Sequence, residues 1–205
     1  MKDAEKMAEQ MIAMGKISLE FARTDRATCH EDGVTRESDT DHSFMLGLTA
    51  GAFADTFLPR LNRGRVVEFA LLHDLVEVYA GDVPTFKKPT PEIKKQKDDA
   101  EHAALLRIKD QFGENFPWIH ETIEEYERKD TPEARFVKVI DKLEAKITNI
   151  LNGGATIKVL NHTKEEIEQW KVDHDEWADE YLEEWPEIRP VWDNIVERTY
   201  KTFIS

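Results

Sequence analysis

His73, Asp74 and Glu77 fall within five positions of "FALLHDLVEVYAGDVPT", among Phe69, Ala70, Leu71, Leu72, Leu75 and Val78. An apolar helix is a poor place for such groups, because a carboxylate taken out of water is costly unless it is paired or holds a cation. The same conflict recurs twice. Asp41 and His42 open a segment that continues through Phe44, Leu48 and Phe53, and Asp141 interrupts "FVKVIDKLEAKI", where Phe136, Val137, Val139, Ile140, Leu143 and Ile147 pattern a buried helix. Imidazole nitrogens with carboxylate oxygens suit a borderline or hard divalent cation, and two aspartates offset its charge.

Taken singly, each residue has a plainer reading. His73 could bond a core carbonyl, Asp74 could cap or form an ion pair, and Asp141 could pair with Arg135, Lys138 or Lys142. Glu77 could face solvent, and His42 could terminate a helix. A shared site is favoured because all these exceptions sit on segments otherwise patterned for the core. Adjacent helix positions point about 100° apart, so helical geometry alone does not bring His73 and Asp74 to one ion.

The elements that must position these groups read as helices nearly throughout, since apolar residues recur at helical spacing and no long alternation suggests a sheet. Met7, Met11, Ile12, Met14, Leu19 and Phe21 place a first helix over about residues 3–22. "RTDRATCHEDGVTRESDT" reads as a loop. A second helix, capped by Thr40 or Asp41 and burying Phe44, Leu48 and Phe53, stops near Pro59. A third runs from about Arg63 to Tyr79, ended by Gly81 and Pro84. Thr90-Pro91 and Thr131-Pro132 are strong helix starts, and Gly153-Gly154 is a stop. The fold class is all-α, a bundle of seven or eight helices forming a single domain over 1–205, with 155–205 a C-terminal helical extension of it.

With 28 basic against 42 acidic side chains and a formal charge of -14, a basic face for duplex nucleic acid is disfavoured. A small phosphorylated substrate remains compatible, because a bound metal dominates its local field. The one cysteine, Cys29, rules out an internal disulfide framework, and the Cys29-His30 pair lacks the orienting partner a nucleophile needs. No apolar run approaches the roughly 20 residues of a membrane span, and the N-terminus does not read as a signal peptide, so a cytoplasmic location is expected. His174 in "WKVDHDEW" is read as part of an exposed acidic face. Trp170, Trp177, Trp185 and Trp192, with Tyr181, read as a packing surface, and a homodimer contact there is the alternative.

The order His42, His73-Asp74, Asp141 on an all-α chain resembles the HD-domain superfamily of metal-dependent phosphohydrolases. "HDLVEVYAGDVPT" is similar to the extended "HDxxExxxGDxPT" signature of the HD-type 5'-deoxynucleotidases, and the likeness covers about residues 15–150. The resemblance implies His42, His73, Asp74 and Asp141 as metal ligands and Glu77 as the catalytic glutamate. It makes Asp82 the turn aspartate that helps place the sugar and water. The cofactor implied is one divalent ion, manganese or cobalt in vitro, with magnesium, iron or zinc also compatible. The substrate implied is a small nucleotide, a (deoxy)nucleoside 5'-monophosphate cleaved to nucleoside and phosphate. The alternatives are triphosphohydrolysis of a deoxynucleoside triphosphate and a non-catalytic metal-stabilised regulatory module. Related deoxynucleotidases carry an Arg, commonly followed by Trp, after the first helix. Here Arg23 is the preferred phosphate contact and Arg26 the second, and Thr24 stands where the aromatic would be.

Overall fold

In a computed structural model, which describes residues 2–84, 86 and 89–205, the chain forms α1 (Lys2–Phe21), a hairpin of β1 (Asp25–Cys29) and β2 (Arg36–Ser38), then α2 (Asp39–Phe57) and α3 (Arg63–Leu72). There follow α4 (Glu77–Ala80), α5 (Pro91–Phe112), α6 (Trp118–Arg128), α7 (Pro132–Leu151), α8 (Ala155–Val159), α9 (Lys164–Tyr181) and α10 (Arg189–Ile204). Eight of these helices have ten or more residues, and α4 and α8 are single turns of four and five. The all-α reading therefore holds, with one small sheet added. Thr85, the last residue of the extended signature, lies outside the described residues.

The starts of α5 and α7 follow the residues that encode them. Thr90 and Thr131 accept from the backbone N–H three positions on, with proline opening the first turn. The start of α2 differs from expectation. Ser38 is the cap and Asp41 completes a reciprocal capping box, so the helix begins earlier than a Thr40 or Asp41 cap would allow. The inward row becomes His42, Leu46, Ala50 and Ala54, whereas Phe44 and Leu48 are 72% and 65% exposed. Small residues on that row permit a close crossing with α3. A Cβ added at Gly51 would lie 2.9 Å from Val67 Cγ2.

Two further departures concern the site directly. The segment read as a loop pairs antiparallel between Asp25–Cys29 and Arg36–Ser38, turned by Gly33 at φ 72° with Asp32 accepting from the Val34 and Thr35 N–H groups. The third helix is not continuous to Tyr79. It ends at Leu72, and Leu75 N–H and Glu77 N–H bond back three residues, to the Leu72 and Asp74 carbonyls, in a tighter turn before α4. Gly81 at φ 79° then reverses the chain into Asp82.

One core cluster runs from Leu46 on α2 through Phe69 on α3 and Phe136 and Ile140 on α7 to Trp170, Trp185 and Trp192. The three tryptophans are thus buried within the chain. A second cluster joins Ile17 and Phe21 on α1 to Leu72, Leu75, Ile108, Phe112 and Ile123. The two clusters meet where α3 breaks, and that break carries the ionisable residues.

Candidate functional site

His42 enters from the first turn of α2 and is 0% exposed. Its Nδ1–H donates to Glu144 Oε2 at 2.5 Å, while the Nδ1–H of His73 donates to the Ala70 carbonyl at 3.0 Å. Those two bonds turn both Nε2 atoms toward one point, only 3.3 Å apart. Two carboxylates complete the ring. Asp141 Oδ1 is 3.2 Å from His42 Nε2 and 3.9 Å from His73 Nε2, and Asp74 Oδ2 is 3.6 Å and 3.0 Å from the same atoms. Two imidazole nitrogens and two carboxylates facing one point are the ligand types a borderline divalent cation takes. This donor set therefore fits a divalent metal. The break at His73 explains how neighbouring residues share the point, since both lie beyond the last regular turn of α3.

Around this cluster the charges are crowded. Arg26, carried inward by β1, places Nη1 3.1 Å from Asp74 Oδ2 and 3.3 Å from Asp39 Oδ1, with Nε 3.7 Å from Glu37 Oε2. Burial opposes the guanidinium charge, but Asp74, Asp82, Asp141 and Glu37 together hold it firmly protonated. Burial also works against the Asp74 carboxylate, yet His73 and Arg26 keep it well below the usual range. Glu77, 3% exposed at the start of α4, is pushed up to about 10 by burial and by Asp74, Asp82 and Asp39. Arg26 Nε, Asp39 Oδ2 and Glu77 Oε2 are buried without a hydrogen-bond partner, as expected where a ligand or water completes the set.

The model of the family described as "HD domain" matches residues 21–184, which contain all of these groups. The chain belongs to the HD domain family. The 5'-deoxynucleotidase HDDC2 of Homo sapiens is 34% identical over 110 residues, 53% of this chain and 50% of the human protein. The 5'-deoxynucleotidase hdd1 of Schizosaccharomyces pombe is 33% identical over 113 residues, 53% of this chain and 54% of that protein. The match spans about half the length of these curated relatives. A crystal structure of a predicted metal-dependent phosphohydrolase from Magnetospirillum magnetotacticum MS-1 superposes with a TM-score of 0.74 at 23% identity, covering 96% of each chain. That likeness is one of fold.

Within the HD frame, the structure brings His42, His73, Asp74 and Asp141 together and sets Glu77 and Asp82 on the wall of the adjoining cavity. Arg26 lines that cavity as well. Arg23, the arginine preferred from the sequence, is exposed just beyond α1 and outside the cavity lining, because the chain turns into the hairpin before Arg26 points inward. Asp41 serves the cap of α2 and is no part of the cluster. The sequence reading missed Glu144, Glu37 and Asp39. Glu144 had a legible signal, since it lies three residues after Asp141 on the same helical side, beside Leu143. His174 is not part of an exposed acidic face. It lines the cavity with Trp170 and Phe203, so the C-terminal helices form part of the site's wall.

Proposed function

We propose that this protein hydrolyses (deoxy)nucleoside 5'-monophosphates to nucleoside and phosphate, using one divalent ion held by His42, His73, Asp74 and Asp141. The observation that carries the reading is the convergence of two imidazole Nε2 atoms and two carboxylates. The relatives named 5'-deoxynucleotidases favour a nucleoside monophosphate as substrate. When bound, such an ion supplies Lewis-acid polarisation of the phosphoryl group.

The chain's own residues supply the rest. Arg26, facing Asp74 and Asp39 and with an Nε that makes no hydrogen bond, pairs in this reading with a phosphate oxygen. Glu77 offers a buried Oε2 without partner. It either takes a proton from the attacking water or gives one to the leaving sugar oxygen as the P–O5' bond breaks. Asp82 is on the cavity wall, and in this reading it contacts a sugar hydroxyl. Glu144 is a positioning residue that fixes the His42 tautomer. Glu144→Ala is expected to weaken manganese binding by about 10- to 100-fold, read by calorimetric titration, with the helical circular dichroism unchanged.

Release of orthophosphate from a panel of nucleotides, in the presence of manganese or cobalt, tests the reaction. Orthophosphate from monophosphates is the expected result. Tripolyphosphate from deoxynucleoside triphosphates would favour triphosphohydrolysis instead, and no release from any nucleotide with any metal would refute hydrolysis.

A further inference from the structure

Among the described residues, four lysines line the cavity beside the cluster: Lys97, Lys138, Lys142 and Lys146. Two of them are committed. Lys97 pairs with Glu101 at 3.2 Å and faces Glu77 at 3.7 Å, and Lys138 pairs with Asp141 at 3.3 Å. Lys142 and Lys146 have no ion-pair partner among the described residues, in a chain with 42 acidic side chains. Lys146 is only 4% exposed. Its Nζ donates to the Lys142 carbonyl at 2.6 Å, and an ammonium has three N–H donors to place. The Trp192 and Trp170 rings, centred 4.7 Å and 5.8 Å from Nζ, give a cation some compensation but accept no hydrogen bond. Burial and the neighbouring Lys142 hold the Lys146 amine well below its ordinary value, and Asp141 offsets this only in part. A ligand anion would supply what the chain withholds.

The placement also says where that anion sits. Lys142 follows Asp141 directly, and Lys146 is one helical turn beyond Lys142 on the same side of α7. The two lysines without an ion-pair partner therefore continue from the cluster along α7, about 7.5 Å of axial rise from Asp141 to Lys146. A ligand that engages the cluster and the far lysine together is best served by a second acidic group.

We propose that Lys142 and Lys146 form an anion subsite for a second phosphate group of the substrate, so that the cavity prefers a nucleotide bearing two phosphates to a nucleoside monophosphate. The inference rests on the phosphohydrolase reading for the reaction at the first phosphate. Water adds to the 5'-phosphorus, the P–O5' bond breaks, and the second phosphate leaves with the nucleoside. A nucleoside 3',5'-bisphosphate meets these requirements; a 5'-diphosphate offers the same pair of anions, but there breaking P–O5' releases pyrophosphate and the free nucleoside.

The test compares wild type with Lys146→Met and Lys142→Met, manganese-loaded, on a 5'-monophosphate, a 3',5'-bisphosphate and a 5'-diphosphate. The bisphosphate KM is expected to lie about tenfold below the monophosphate KM, the size of one charge-assisted contact. Lys146→Met should remove that advantage while changing monophosphate KM and kcat less than about twofold. A Lys146-dependent gain confined to the diphosphate would support the subsite and identify the other source. Equal KM values for all three, or a gain that survives both substitutions, would overturn it. A second readout needs no turnover. Inorganic phosphate titrated into metal-free protein should change tryptophan emission through Trp170 and Trp192, and should not do so in Lys146→Met. If no nucleotide is hydrolysed but this titration persists, the hydrolase reading falls and the subsite stands. If monophosphates are hydrolysed and neither readout depends on Lys146, the subsite falls alone. Lys146→Met replaces a buried amine that has no ion-pair partner among the described residues, so it should unfold at no lower temperature than wild type.

Discussion

Asp141→Asn is expected to lose bound metal on dialysis and to lower phosphate release by more than about 10²-fold, with the fold intact. The substitution keeps the shape of a side chain whose Oδ1 lies 3.2 Å from His42 Nε2 and whose Oδ2 lies 3.3 Å from Lys138 Nζ, but removes its charge. Two aspartates balance a divalent ion, and with Asp74 alone the site keeps half that charge while Lys138 loses its partner. Thermal unfolding separates a metal effect from a purely kinetic one. A ligand that binds only the folded state adds about 2.7 kcal/mol at a hundredfold excess over Kd, so manganese should raise the wild-type Tm and leave that of Asp141→Asn where it was. An Asp141→Asn protein that still carries stoichiometric manganese and gains the same Tm would remove Asp141 from the ligand set.

The parts of the site legible in the sequence were those where an ionisable residue contradicts its own helix. Asp141 among Phe136, Val137 and Ile140 is such a contradiction, and the cost of a lone buried carboxylate makes it informative. His42 and His73-Asp74 carried the same signal. What the sequence did not give was the break at His73. The residues from Arg63 to Tyr79 have unbroken helical periodicity, and no proline or glycine marks the point where the hydrogen-bonding tightens after Leu72. Packing decides it, because Leu72, Leu75 and Val76 turn away from the α2–α7 core toward Phe112 and Ile123. Phe44 and Leu48 misled for a related reason. Their periodicity is as good as that of Leu46 and Ala50, and only the Ser38 cap and the close crossing at Gly51 choose the inward row.

Arginine placement shows a second limit. Arg23 and Arg26 differ by three positions in a polar stretch, where periodicity carries no weight. The hairpin chooses between them, and its strands are short and mostly polar, with Cys29 as the buried end of β1. That cysteine is tied to the far side of the chain, since its carbonyl accepts from Asn152 Nδ2 at 2.7 Å and its N–H donates to Thr156 at 3.2 Å. Arg26 is thus set by contacts more than 120 residues away in sequence, which local reasoning cannot reach. The same separation hides the cavity wall, where α7 lysines meet Trp170, His174 and Phe203.

Glu77→Gln should separate chemistry from metal binding: manganese content and Tm gain retained, phosphate release reduced by about 10²–10⁴-fold. Glu77 is close enough to Asp74 and Asp39 to share a charge cluster with them, yet it stands outside the four-atom ring, and its Oε2 has no partner. Glutamine preserves the size and the hydrogen-bonding edge but can neither take nor give the proton. The metal-free protein offers a check on the group itself. Burial and the neighbouring aspartates raise its carboxyl from 4.5 to about 10, so between those values the folded state holds a proton that the unfolded state has released. The associated stability is fully present below about pH 4.5 and is lost as pH rises toward 10. Glu77→Gln lacks that loss, so its Tm should fall less than the wild-type Tm between neutral and alkaline pH. A bound divalent ion, by drawing the carboxyl back down, should bring the two curves together. Wild-type turnover in Glu77→Gln would show that water is positioned by another group on the cavity wall, and would leave the metal ligands where they are.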